Sequence, residues 1–246
     1  MIRKSILLLL AGFAFLISCK KENRFDCLKG TGKTITEVRD ITGVEEIVLS
    51  DKINLNIIQD TIEWVEITAG EKLMPLIRTE KIGRKLYIRN DNRCNWVRSF
   101  KNSIDVNIHL KRLRSLENSG SGDVTSKNIL TTDTLTVDLK NAAGTVRLSI
   151  NVNIAHLNIH TGVADLIVSG KAGMCYMWSA GNGLFQCSDL ESDIVFITSK
   201  SSNQCYINVK AILGATVLTA GNIFYKGSPY SIFKYCEGKG DLIKQN

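Results

Sequence analysis

The chain has 246 residues but only two prolines and three histidines. Its seven cysteines include no Cys-x-x-Cys pair, and their spacings relative to His109, His156 and His160 fit no zinc template, so no metal site is expected. No apolar run after residue 17 approaches the eighteen or so residues a membrane-spanning helix needs. Helix-length apolar patterns are almost lacking, which excludes all-α and α/β architectures. Gly30-Thr-Gly-Lys-Thr34 resembles the tail of a phosphate-binding loop. The full pattern needs a glycine where Cys27 stands, and no apolar strand feeds the segment, so no nucleotide is expected. Gly120-Ser-Gly-Asp is not the Gly-x-Ser-x-Gly of a nucleophile elbow. The net charge of +7 comes with no nucleic-acid-binding motif. The sequence assigns no catalytic residue and no cofactor.

The N-terminus is informative. Arg3 and Lys4 precede a twelve-residue apolar core, Ile6 to Ile17, which is a secretory signal and too short to span a bilayer. Leu16-Ile17-Ser18-Cys19 resembles a bacterial lipobox, which implies cleavage after residue 18 and lipidation of Cys19. Several acyl chains on one residue suffice for stable anchoring. Lys20 after the cysteine implies the outer membrane, with the chain facing the periplasm or the cell surface. Residues 19–34 read as the lipidated cysteine and a polar tether.

What is plentiful is a repeat. Gly120-Ser-Gly-Asp-Val124, Ala142-Ala-Gly-Thr-Val146, Gly162-Val-Ala-Asp-Leu166, Gly181-Asn-Gly-Leu-Phe185, Ser201-Ser-Asn-Gln-Cys205 and Gly221-Asn-Ile-Phe-Tyr225 end 22, 20, 19, 20 and 20 residues apart. Each turn is flanked by period-2 apolar strands, such as Leu135-Thr-Val-Asp-Leu139 and Leu157-Asn-Ile159. A twenty-residue period of this kind predicts stacked β units that cover one another's apolar faces. The expected fold is all-β, a parallel β-helix of about six regular rungs over residues 116–235. Less regular strands precede it over 35–115, either continuous with it or as a separate cap. The recurrent glycine corner is where φ > 0 is expected. Around Pro75 the apolar residues stop alternating, which predicts a short helical turn within Glu71–Arg78.

Glu45-Glu-Ile-Val-Leu, Asn54-Leu-Asn-Ile-Ile-Gln-Asp60, Leu116-Glu-Asn-Ser-Gly-Ser-Gly-Asp123, Ala220-Gly-Asn-Ile-Phe-Tyr-Lys-Gly-Ser-Pro229 and Gly238-Lys-Gly-Asp-Leu242 carry a family likeness. So does Arg89-Asn-Asp-Asn-Arg-Cys-Asn-Trp-Val-Arg98. Together they resemble the putative auto-transporter adhesin, head GIN domain family of Bacteroidetes lipoproteins, across nearly all of residues 35–243. The resemblance implies a right-handed β-helix and supplies no catalytic residues.

The functional expectation is a lipid-anchored envelope protein whose extended side contacts glycans or envelope and host proteins. The alternatives are an envelope-maintenance lipoprotein without an external ligand and a polysaccharide hydrolase. Asp123 and Asp165 hold one repeat position two rungs apart, roughly 9–10 Å by strand spacing, near the separation used by inverting glycosidases. Trp178, Phe224, Tyr230 and Tyr235 are the candidate ligand-binding aromatics, whereas Phe185 and Tyr225 are expected in the core. Cys27 and Cys94, outside the repeats, are the candidate disulfide, with Trp96 packed beside it. Arg84, Lys85, Arg89, Arg93, Arg98, Lys101, Lys111, Arg112 and Arg114 form a basic cluster, read either as an anion-attracting patch or as solvated strand faces.

Overall fold

Alternating apolar residues on either side of a tight turn give each repeat one inward and one outward face, and only stacking hides the inward one. The computed structural model describes residues 30–92 and 103–245. Cys19, Cys27, Cys94 and Trp96, with the signal and lipidation sites, lie outside that set.

Among the described residues seventeen strands form one continuous, mostly parallel sheet that winds into a β-solenoid. The early strands are β1 (Thr34–Asp40), β2 (Glu46–Leu49), β3 (Asn54–Gln59), β4 (Trp64–Gly70), β5 (Ile77–Ile82), β6 (Lys85–Asn90) and β7 (Asp105–Leu110). The repeats supply β8 (Ser115–Asn118), β9 (Val124–Ser126), β10 (Leu130–Leu139), β11 (Thr145–Ile159), β12 (Asp165–Ser179), β13 (Phe185–Ser199), β14 (Cys205–Val217), β15 (Ile223–Lys226), β16 (Ser231–Cys236) and β17 (Leu242–Lys244). The helical turn expected near Pro75 is a 3-10 turn at Met74–Leu76.

Strands β11 to β14 bend midway, so their first halves stack on one face of the rod and their second halves on another. After each turn one inward column runs Val106, Leu55, Val124, Val146, Leu166, Phe185, Cys205, Ile223, Leu242. Before each turn a second runs Leu86, Ile47, Leu116, Val137, Leu157, Met177, Ile197, Ala215, Lys234. From Leu55 to Ile223 and from Leu86 to Ala215 these side chains are buried.

Two features depart from the sequence reading. The sixth turn is displaced by two residues, so Ile223 and not Tyr225 continues the Val124 column. The cause is a shorter corner in β14, whose register against β13 shifts between Gln186 and Glu191 and again between Ser192 and Ile194. Tyr225 is buried all the same, one inward position further along, beside Ile207. The turn glycines, moreover, serve clearance more often than positive φ. Gly162 does sit at φ 98, but at Gly183 a Cβ would collide with the Ala164 carbonyl oxygen of the rung beneath.

Residues 35–115 are continuous with the rod, in a non-sequential order. The β2/β3 rung lies between β6/β7 on one side and β8/β9 on the other. Antiparallel β1 and β4 close one face of that end, and antiparallel β5 closes the other. The opposite end is β16 and β17, each paired on one side only among the described residues. There Lys234 continues the register of that column at the end of the rod, exposed and paired with Asp241, a charge that blunts the edge against further strand addition.

Cys175, Cys187 and Cys205 are buried and unbridged, and Cys236 is exposed. Cys205 fills a Val124-column position, as expected for a small hydrophobe. Burial pushes the Cys175 thiol up to about 11, partly offset by its hydrogen bond with Ser192, and burial also holds the Cys187 thiol well above its ordinary value. The unfolded chain therefore ionises Cys175 near 9 and the folded chain only near 11. Stability is full below the lower value and falls between the two, by about 2–3 kcal/mol for this thiol. Urea titrations at stepped pH should show that decline, shallower in Cys175→Ala; parallel slopes in both proteins would refute the assignment.

Candidate functional site

Outward positions of in-register parallel strands also form columns, at the strand spacing of about 4.8 Å. On the second face one such column is His156, Tyr176, Phe196, Gly214, Phe233, and its neighbour is Asn158, Trp178, Thr198, Thr216, Tyr235. The His156 and Tyr176 rings stack with centroids 5.1 Å apart and planes 9° apart. Tyr176 and Phe196 follow at 5.8 Å and 20°. Tyr176 and Phe196 are each 40% exposed, Phe233 64% and Tyr235 59%. Between these side chains runs an open groove of about 450 Å³ with more apolar than polar lining, its rims Tyr176, Trp178, Phe196, Phe233 and Tyr235.

Two of the four candidate aromatics, Trp178 and Tyr235, meet in this groove. Phe224 lies on the other face, half-buried and stacked on Tyr206 at 5.2 Å. Tyr230 is 80% exposed in the loop before β16, apart from the groove lining. Sequence reasoning missed Tyr176, Phe196 and Phe233. The signal was present, because His156, Tyr176 and Phe196 are spaced by the repeat period.

The acids at the turns have another task. Asn54 Oδ1 accepts from the Asp123 backbone N–H at 3.1 Å, and Asp123 Oδ1 from that of Thr145 at 2.8 Å. Asp165 Oδ1 accepts from Leu184 at 2.8 Å, and Asn222 Oδ1 from Asp241 at 2.8 Å. Each side chain thus caps an amide in the next turn, and neither Asp123 nor Asp165 lines the groove. Asp165→Ala should cost about 1 kcal/mol by leaving the Leu184 amide without its partner, whereas Asp165→Asn keeps an acceptor and most of the stability. Urea midpoints of the two variants decide this, and equal losses would contradict it.

The basic cluster, where described, is paired with nearby acids. Arg84 and Arg112 each hold Glu45 Oε1 at 2.9 Å, with Arg114 at 3.7 Å from Oε2. Lys85 pairs with Glu46 at 3.2 Å, Arg89 with Glu80 and Asp91 at 3.3 Å, and Lys111 with Glu63 at 3.7 Å. These pairs fit the solvated-face reading, although Arg84, Arg112 and Arg114 share the single Glu45 carboxylate. Among the described residues no cluster of His, Cys, Asp and Glu is arranged to hold a metal ion.

A capped rod of stacked rungs carrying an aromatic groove on one face defines a β-solenoid protein. The chain belongs to the family described as putative auto-transporter adhesin, head GIN domain, which matches residues 44–229. Among solved structures it is similar to a putative adhesin from Bacteroides fragilis, with TM-score 0.82 and 24% identity over 88% of this chain and 100% of the other. A putative adhesin from Parabacteroides merdae is similar with TM-score 0.66 and 20% identity over 88% and 98%. A putative lipid binding protein from Parabacteroides distasonis gives TM-score 0.67 and 18% identity over 89% and 100%. At these identities the likeness is one of fold. No curated protein matches the sequence.

Proposed function

We propose that this chain is an exported lipoprotein, anchored through Cys19, that binds glycans on the exposed groove bordered by Trp178 and Tyr235. The observation that carries the reading is the groove itself. Five large aromatic side chains line one outward face, where burial gains the fold little and a ligand would gain much. Placement supports it too. The chain enters the rod at β1, on the capped end, and the groove lies toward the β16 end. From β6 to β16 the stack rises roughly 38 Å at the strand spacing, so an N-terminal anchor would hold the groove away from the membrane. Membership of an adhesin family is consistent with an envelope or surface address.

The anchor is tested by fractionation. Cys19→Ser is expected to move the protein from the membrane pellet to the soluble fraction, and unchanged pelleting would refute lipid anchoring. Display at the cell surface is tested by protease shaving of intact cells, where a fully protected protein would rule out direct adhesion. Binding is tested with the chain from Lys20 to Asn246, which carries every described strand, on an array of oligosaccharides.

A further inference from the structure

The outward aromatic column is interrupted once. His156, Tyr176 and Phe196 stack in succession, then Gly214 presents no side chain, then Phe233 resumes the column. Phe196 and Phe233 are two strand spacings apart, about 9.5 Å. Phe196 leans into the gap. It stands further from Tyr176, at 5.8 Å, than Tyr176 does from His156, and a Cβ on Gly214 would come within 2.5 Å of its ring. The lean takes up part of those two strand spacings, and what remains open lies between the Phe196 ring, packed over Gly214, and Phe233.

The surroundings narrow the chemistry. Beside the gap the neighbouring column carries Thr198 and Thr216, and their hydroxyls have no hydrogen-bond partner among the described residues. Asn158 donates to Asp138 at 3.0 Å and keeps its amide oxygen free to accept. The one charged residue in the lining, Lys234, is paired with Asp241. The slot therefore offers two ring faces, two hydroxyls and no unpaired charge.

We infer that the Gly214 gap is a specificity slot for a single pyranose unit of a neutral oligosaccharide, held between Phe196 and Phe233 with its hydroxyls turned to Thr198 and Thr216. The inference rests on the reading of the groove as a glycan site and adds to it which unit is seated and what a filled gap would do. A charged sugar would have to leave its counter-charge in the solvent and bind more weakly.

Calorimetric titration of the Lys20–Asn246 chain with cellohexaose, mannohexaose, chitohexaose and hexagalacturonate tests both. The wild type should bind at least one of the three neutral probes and prefer it to hexagalacturonate by tenfold or more. Gly214→Phe fills the gap and pushes the Phe196 ring off the glycine, so it should weaken that binding at least tenfold, with circular dichroism and the urea midpoint showing that the outward substitution leaves the rod folded. Thr216→Val, nearly isosteric, should weaken it several-fold. Unchanged affinity in folded Gly214→Phe overturns the slot, and leaves the glycan reading standing if Trp178→Ala still abolishes binding. In that case the glycine is there because the Phe196 ring packs on it. Binding of none of the neutral probes by the wild type overturns the glycan reading and the slot together.

Discussion

Phe185→Ala is expected to lower the stability of the rod by about 3–5 kcal/mol, the range for deleting a buried aromatic ring. Phe185 is fully buried, among the largest side chains that are, and sits between Leu166 and Cys205 in the inward column. Leu166 and Cys205 on either side of it are held by parallel pairing to both neighbouring rungs, so the cavity cannot collapse readily. In a stacked array each rung touches only its neighbours, so a weakened rung uncouples the segments on either side. The unfolding transition should fall to lower urea and broaden or split. Phe185→Leu should recover most of the loss. A cost below 1 kcal/mol would mean that the column is not continuous at this rung.

Trp178→Ala should reduce oligosaccharide affinity at least tenfold, about 1.4 kcal/mol, with the fold intact. Trp178 points outward from β12, half-exposed, and its neighbours across the ladder are Asn158 and Thr198. Removing it costs the core nothing and takes one rim from the groove. Phe224→Ala makes the matching control. It deletes a half-buried aromatic on the other face, stacked only on Tyr206 among described rings, and should leave affinity unchanged. Equal losses in the two variants would show that the binding surface is not the groove.

The sequence was legible where the chain is periodic. Val124, Val146, Leu166, Phe185 and Cys205 stack as their spacing implies, because each rung pairs with the next one in the chain. The period slips at Ile223, where the β14 corner is shorter. Apolar alternation looks alike in either of two frames, and the reading chose the wrong one. The order of the early rungs was not legible. Placing β2/β3 between β6/β7 and β8/β9 depends on connections through the antiparallel β4 and β5, and short strands carry no mark of their partners. Trp178 and Tyr235 were found as exposed aromatics. Their convergence, and the parts played by Phe196, Gly214 and Phe233, needed the column register, which composition does not contain.

The most direct test follows the emission of Trp178 alone, in a Trp64→Phe, Trp96→Phe background, as neutral oligosaccharides are added. A site at the groove predicts a saturable change in Trp178 emission with the same midpoint as calorimetric binding, lost in Gly214→Phe. Calorimetric binding that leaves Trp178 emission untouched would place the ligand elsewhere and contradict the account.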